Sequence, residues 1–100
     1  MILEIRARFA KLQYEYTQHA SDQRIRRTIS ADEVGEAIAC GEVIEIYPDD
    51  KYGPSCLIFG WTKGGRPLHV QCTYPSRPIM RVITIYEPDP GKWISWTVRR

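Results

Sequence analysis

Long apolar runs are absent from this sequence of 100 residues; the longest covers a few positions, against roughly 20 for a helix that crosses a bilayer. No membrane-spanning segment is therefore expected. Glu4, Arg6 and Arg8 interrupt the apolar pattern at the N-terminus. That segment does not read as a signal peptide, and a cytoplasmic location is the expectation. Cysteine is scarce: Cys40, Cys56 and Cys72 are odd in number and far apart, with no CxxC and no Cys/His set at zinc spacing. Three free, semi-buried thiols are expected, with no metal and no cofactor. Gly-rich phosphate loops, nucleophile elbows and paired-carboxylate motifs are also missing. There are two histidines, His19 and His69.

The chain does have enough apolar material for a core. The hydrophobic fraction is 43% and the charged fraction 26%, both ordinary for a globular protein. The length is that of one domain and buries enough surface to fold without a disulfide or metal. The net charge of +2 is too small to imply a nucleic-acid partner by itself. Its arrangement says more. Arginine outnumbers lysine and clusters at Arg24, Arg26 and Arg27 and again at Arg99 and Arg100. Arginine suits phosphate as well as plain surface ion pairs.

Helical periodicity comes first. Ile2, Ile5, Phe9 and Leu12 recur at spacings of three and four, which predicts an amphipathic helix over residues 1–12. Gln13 to Thr17 alternates and predicts a short strand. Thr17 can then cap a helix running from Gln18 or His19 to about Arg27. That helix is very polar, with Ala20 and Ile25 as its clearest apolar positions. Ser30-Ala31-Asp32-Glu33 reads as a capping box opening a helix over residues 31–40, with Gly41 as its stop.

From Glu42 onward the period becomes extended. Strands are predicted over 43–47, 55–61, 67–74 and 79–86. The connections are a loop at 48–54, a glycine turn at Lys63-Gly64-Gly65, and turns at 75–78 and 88–91. Trp93 to Val98 forms a last edge strand or an extended tail. Helices followed by consecutive strands predict an α+β domain, with N-terminal helices packed on one face of an antiparallel sheet of about four strands. The opposite face would carry His69 and Gln71.

A series of short motifs resembles a known family. Tyr16-Thr17-x-His19-Ala20, Arg27-x-Ile29-Ser30, Val34, Ala37-Ile38 and Gly41-Glu42-Val43-Ile44 come first. Gly65-Arg66-Pro67-Leu68-His69-Val70, Val82 to Asp89, and Trp93 follow. In order and spacing they resemble the bacterial domain of unknown function 4258, over about Tyr14 to Trp93. That family looks like a relative of the RelE-like and BrnT-like toxins. The resemblance implies a helices-plus-sheet fold, metal-independent ribonuclease activity on RNA and a partner antitoxin. The family usually carries an arginine four residues after its histidine; here that position is Gln23, with Arg24 next to it.

Metal-free RNA cleavage needs a base, a proton donor and cations on the phosphate. Histidine suits the proton roles near neutral pH and arginine the phosphate. The candidate catalytic residues are His19, Arg27, His69 and Tyr86; Arg24, Arg66 and Arg81 are candidates for RNA phosphates. Trp61, Trp93 and Trp96 could stack bases. Each has a plainer role beside it. His19 can cap its helix, the arginines can be a solvated face, and His69, Tyr86 and the tryptophans can be packing. The leading expectation is a toxin-like ribonuclease. The alternative is a non-catalytic protein-binding module or a degenerate toxin, and an enzyme on a small metabolite comes last. Edge strands offer pairing in a homodimer or with an antitoxin segment.

Overall fold

In a computed structural model that describes residues 1–51, 53–76 and 78–100, three helices precede most of the strands. They are α1 (Ile2–Ala10), α2 (Gln18–Arg27) and α3 (Ala31–Ala39). The strands are β1 (Tyr14–Tyr16), β2 (Glu42–Tyr47), β3 (Ser55–Trp61), β4 (Pro67–Thr73), β5 (Met80–Tyr86), β6 (Trp93–Ile94) and β7 (Val98–Arg99). The loop expected at 48–54 includes Tyr52 and the turn expected at 75–78 includes Arg77, and both lie outside the described residues.

The main sheet differs from the expected four antiparallel strands. It has five, in the order β1-β5-β4-β3-β2, and it is mixed. The extra member is β1, which pairs parallel to β5 with Tyr14 opposite Met80 and Tyr16 opposite Val82. Parallel pairing needs a long crossover, and α2, α3 and three strands separate β1 from β5 in the chain. Sequence alternation marks β1 as a strand but not its distant partner. β6 and β7 form a separate two-stranded hairpin rather than a last edge strand.

The helices cover one face of the sheet. Ile5 and Phe9 of α1, Ala20 of α2, and Val34, Ala37 and Ile38 of α3 share a buried cluster with Cys56, Ile58, Leu68, Val70, Cys72, Met80, Val82 and Ile85. Helix α3 opens on the expected capping box: Ser30 Oγ accepts from the Glu33 amide at 3.1 Å, and the Ser30 amide donates to Glu33 Oε1 at 3.0 Å. It sits so close to β3 that a Cβ on Gly60 would lie 1.9 Å from the Ala37 carbonyl oxygen. Gly41 follows the helix cap as expected, but its reason is space and not a left-handed backbone, since a Cβ there would meet the same oxygen at 2.6 Å. Gly65, at φ +84°, makes the β3–β4 turn as its residue type requires.

Helix α2 departs from its predicted apolar face. Ile25 is 78% exposed, whereas Gln23 is buried. The Gln23 Oε1 accepts from the Ile85 amide at 2.8 Å and ties α2 to β5. A buried amide with a partner is stable where an orphaned strand N–H would not be. No helix among the described residues is long and apolar enough to cross a membrane.

Candidate functional site

The face of the sheet away from the helices is built on a register detail. β4 and β5 pair with His69 opposite Tyr86 and Gln71 opposite Thr84, but Cys72 faces Val82, so β5 carries one extra residue at Ile83. Such a bulge shifts the side-chain phase by one position. Met80 and Val82 therefore enter the helix-side core, while Thr84 and Tyr86 reach the face that carries His69.

His69 is fully buried there. Its Nδ1 lies 3.1 Å from the Tyr86 hydroxyl and its Nε2 lies 2.6 Å from the carbonyl oxygen of Trp96. A carbonyl only accepts, so Nε2 carries a proton and donates it, and Nδ1 of the neutral ring accepts from the Tyr86 O–H. The rings of Trp93 at 4.5 Å, Tyr86 at 5.2 Å and Phe59 at 5.9 Å enclose the imidazole edge-on. Burial pushes the His69 pKa below its ordinary value, against the opposing pull of the Trp96 hydrogen bond and Glu45. Burial likewise raises the Tyr86 phenol.

The cover over this face is the β6–β7 hairpin. Arg99 lies over the Trp93 ring at 4.6 Å and its Nε donates to Glu45 Oε2 of β2 at 2.9 Å. Burial works to raise the Glu45 pKa, but the bonds from Arg99 and Tyr47 hold it below the usual value. Beside the hairpin is a cleft of about 350 Å³ lined by Arg27, Tyr86, Glu87, Asp89, Lys92, Trp93 and Arg99. Its carboxylates have partners of their own: Glu87 pairs with Arg66 and Asp89 accepts from the Gly91 amide. Arg27, Tyr86 and, behind Tyr86, His69 are thus brought together.

The other candidates lie elsewhere or are occupied. His19 is exposed in the first turn of α2, about 12 Å along the helix axis from Arg27 at 1.5 Å per residue. Arg66 is engaged: it donates to the carbonyls of Arg27 at 2.7 Å and Thr28 at 2.8 Å, and pairs with Glu87 at 2.5 Å and Glu33 at 3.4 Å. A cation on these last carbonyls suits the negative end of α2. Arg24 lies over the Tyr16 ring at 4.7 Å and donates to the Ile29 carbonyl at 3.1 Å. Arg81 pairs with Glu15 at 3.1 Å on the exposed β1–β5 edge. Trp93 is buried, while Trp61 and Trp96 meet edge-to-face at 6.3 Å.

Sequence reasoning did not place Arg99 and Lys92 at this cleft. Arg99 was visible only as part of a terminal arginine pair, and nothing local says that the chain folds back to set it beside Trp93 and Glu45. Among the described residues no group of three or more His, Cys, Asp or Glu is placed to hold a metal. Cys56 and Cys72 face each other across β3 and β4 as buried free thiols, while Cys40 is exposed.

The sequence profile of the family described as Domain of unknown function (DUF4258) matches residues 16–87. The chain belongs to that family. No curated protein and no solved structure matches it. In this DUF4258 chain the matched segment runs from the end of β1 to just past β5, so it includes α2, both histidines, Arg27 and Tyr86. Trp93, Trp96 and Arg99, which close the His69 face, lie beyond the matched segment.

Proposed function

We propose that this chain is one toxin-like domain, related to the RelE-like and BrnT-like toxins, that binds RNA and cleaves it without a metal at the cleft beside Tyr86. The observation that carries the reading is the hydrogen bond of 3.1 Å between Tyr86 and His69 at the wall of a cleft lined by three cations, Arg27, Lys92 and Arg99. In this reading Tyr86 takes the proton of the attacking 2′-OH as its own proton passes to His69 Nδ1. The Trp96 carbonyl holds the opposite N–H and fixes the ring for that role. Arg27 and Arg99 hold the phosphate as charge builds, and Lys92 protonates the departing 5′-oxygen. The new bond joins the 2′-oxygen to phosphorus and the bond to the 5′-oxygen breaks. The products are a 2′,3′-cyclic phosphate and a 5′-hydroxyl. His19, Arg24, Arg66 and Arg81 lie outside this site; Arg81 and Arg24 would serve only as outlying phosphate contacts. A partner antitoxin in the cytoplasm, or a second copy along the edge strand β2, belongs to the same reading.

One observation favours the alternative, a non-catalytic binding module. His69 is fully buried with both nitrogens engaged, and burial lowers its proton affinity. A test separates the two. Labelled single-stranded RNA is incubated with the wild type, Tyr86→Phe and Arg27→Ala, and growth and RNA integrity are followed after induction. Cleavage by the wild type, with Tyr86→Phe binding RNA but not cutting it, supports the ribonuclease. RNA binding without cleavage in all three supports the binding module. No RNA binding, or binding without a steep salt dependence, would sink the RNA reading in favour of a protein partner.

A further inference from the structure

We propose that residues 93–100 are a strap that closes the His69 face, lifts to admit RNA to the Tyr86 cleft and closes again on it, returning Arg99 and the Trp96 carbonyl to their places; the RNA part of this rests on the reading above. The strap is strained. Ser95 at φ 51° and Trp96 at φ 69° are consecutive left-handed residues, and neither is glycine. The Thr97 amide donates to the Ile94 carbonyl at 3.1 Å, so Ile94 to Thr97 is a tight hairpin turn. A turn with both central residues at positive φ favours Asn-Gly or Gly-Gly, and a Ser-Trp pair resists it.

The hairpin is also short. Each strand has two residues, and a lone pair of strands is marginal in water. Ile94 and Val98, cross-strand partners, are both exposed, so this side of the hairpin gains little from burial. What holds the strap down is a few ties to the sheet. They are the Trp96 carbonyl on His69, the Trp96 ring against Trp61, the Trp93 ring against His69, and Arg99 on Glu45. The surface underneath carries the buried imidazole of His69, whose Nε2 water can solvate when the strap is off. A strained, short cover held by a few ties is drawn from the low-stability end of a fold.

The strap is tested with the full chain and two substitutions of opposite sign. Trp96→Ala removes the ring contact with Trp61 while keeping the carbonyl. Ser95→Gly removes strain from the closed turn and serves if Trp96→Ala fails to fold. His69 acylation by diethyl pyrocarbonate is followed by mass spectrometry, with exposed His19 as the internal reference. Affinity for single-stranded RNA is measured by anisotropy. We expect His69 to react about tenfold faster in Trp96→Ala and about fivefold slower in Ser95→Gly, with RNA affinity moving in the same direction. Equal His69 rates in all three proteins overturn the strap. RNA affinity that is measurable but does not follow the His69 rate overturns its gating role. His69 rates that shift as expected, with RNA binding absent throughout, support the strap and reject the RNA reading.

Discussion

The Nε2 nitrogen of His69 lies 2.6 Å from the carbonyl oxygen of Trp96, so one hydrogen bond joins the middle of β4 to a turn 27 residues later. The same imidazole accepts from Tyr86 at its other nitrogen. Replacing it with alanine leaves two polar groups without partners and a hole among Phe59, Trp93 and Tyr86. His69→Ala should cost about 3 kcal/mol of stability, from lost packing and orphaned polar groups. Urea denaturation measures it, and a loss near zero would mean that the hairpin is not anchored there.

Acid should act through the same residue. The folded His69 pKa is lowered from 6.5 because burial disfavours the imidazolium. The unfolded chain therefore binds the proton more readily. The stability from the neutral ring is fully present above about pH 6.5 and is lost progressively as pH falls below it. The carboxylates of Glu33 and Glu45, held low by their partners, lose their contribution only at more acidic pH. Thermal midpoints between pH 8 and pH 5 should fall for the wild type and stay flatter for His69→Gln; parallel curves would remove His69 as the cause.

Two glycines should respond with opposite signs. A Cβ on Gly60 would stand 1.9 Å from the Ala37 carbonyl, which is backbone and has nowhere to go. Gly60→Ala should separate α3 from β3 and cost more than about 3 kcal/mol, in the range of severe core disruption. Gly35 lies inside α3 with nothing within 4 Å of its Cβ position. Gly35→Ala should stabilise by about 1 kcal/mol through helix propensity and a less flexible unfolded chain. Thermal melts of the pair decide this, and a destabilised Gly35→Ala would point to an unseen demand at that position.

Gln23 offers an acceptor to the Ile85 amide from a buried position. Gln23→Leu keeps similar bulk but orphans that N–H, for an expected loss of about 1–3 kcal/mol. Gln23→Arg should lose at least as much, because a guanidinium has no acceptor to offer and is costly to bury. Hydrogen exchange at Ile85 reads the site directly. Unchanged protection in Gln23→Leu would show that the side chain does not hold β5.

Local signals explain which expectations the fold meets. The Ser30–Glu33 capping box, the Gly65 turn and the alternation of β4 all depend on a few adjacent residues, and all appear where expected. Ile25 fails as a core residue because a polar helix has no apolar stripe to set its rotation. Its orientation is fixed by Ala20 and Gln23 against β5 instead. The candidate site is legible only as residue types. Arg27, His69 and Tyr86 could be named from their chemistry, and His69 could be set beside Tyr86 or Thr84 on the open face, but the cover of Trp93, Trp96 and Arg99 could not be foreseen.

By itself, the sequence determined the three helices, the strand run from β2 to β5, the capping of α3 and the absence of any long apolar span, because period and cap chemistry act within a turn or two. The tertiary structure decided the rest. It set β1 beside β5, shifted the phase of β5 at Ile83 so that Tyr86 meets His69, and folded the C-terminal hairpin over that face. These depend on pairings between residues far apart in the chain, whose free energy comes from burial and hydrogen bonds that exist only once both partners are in place.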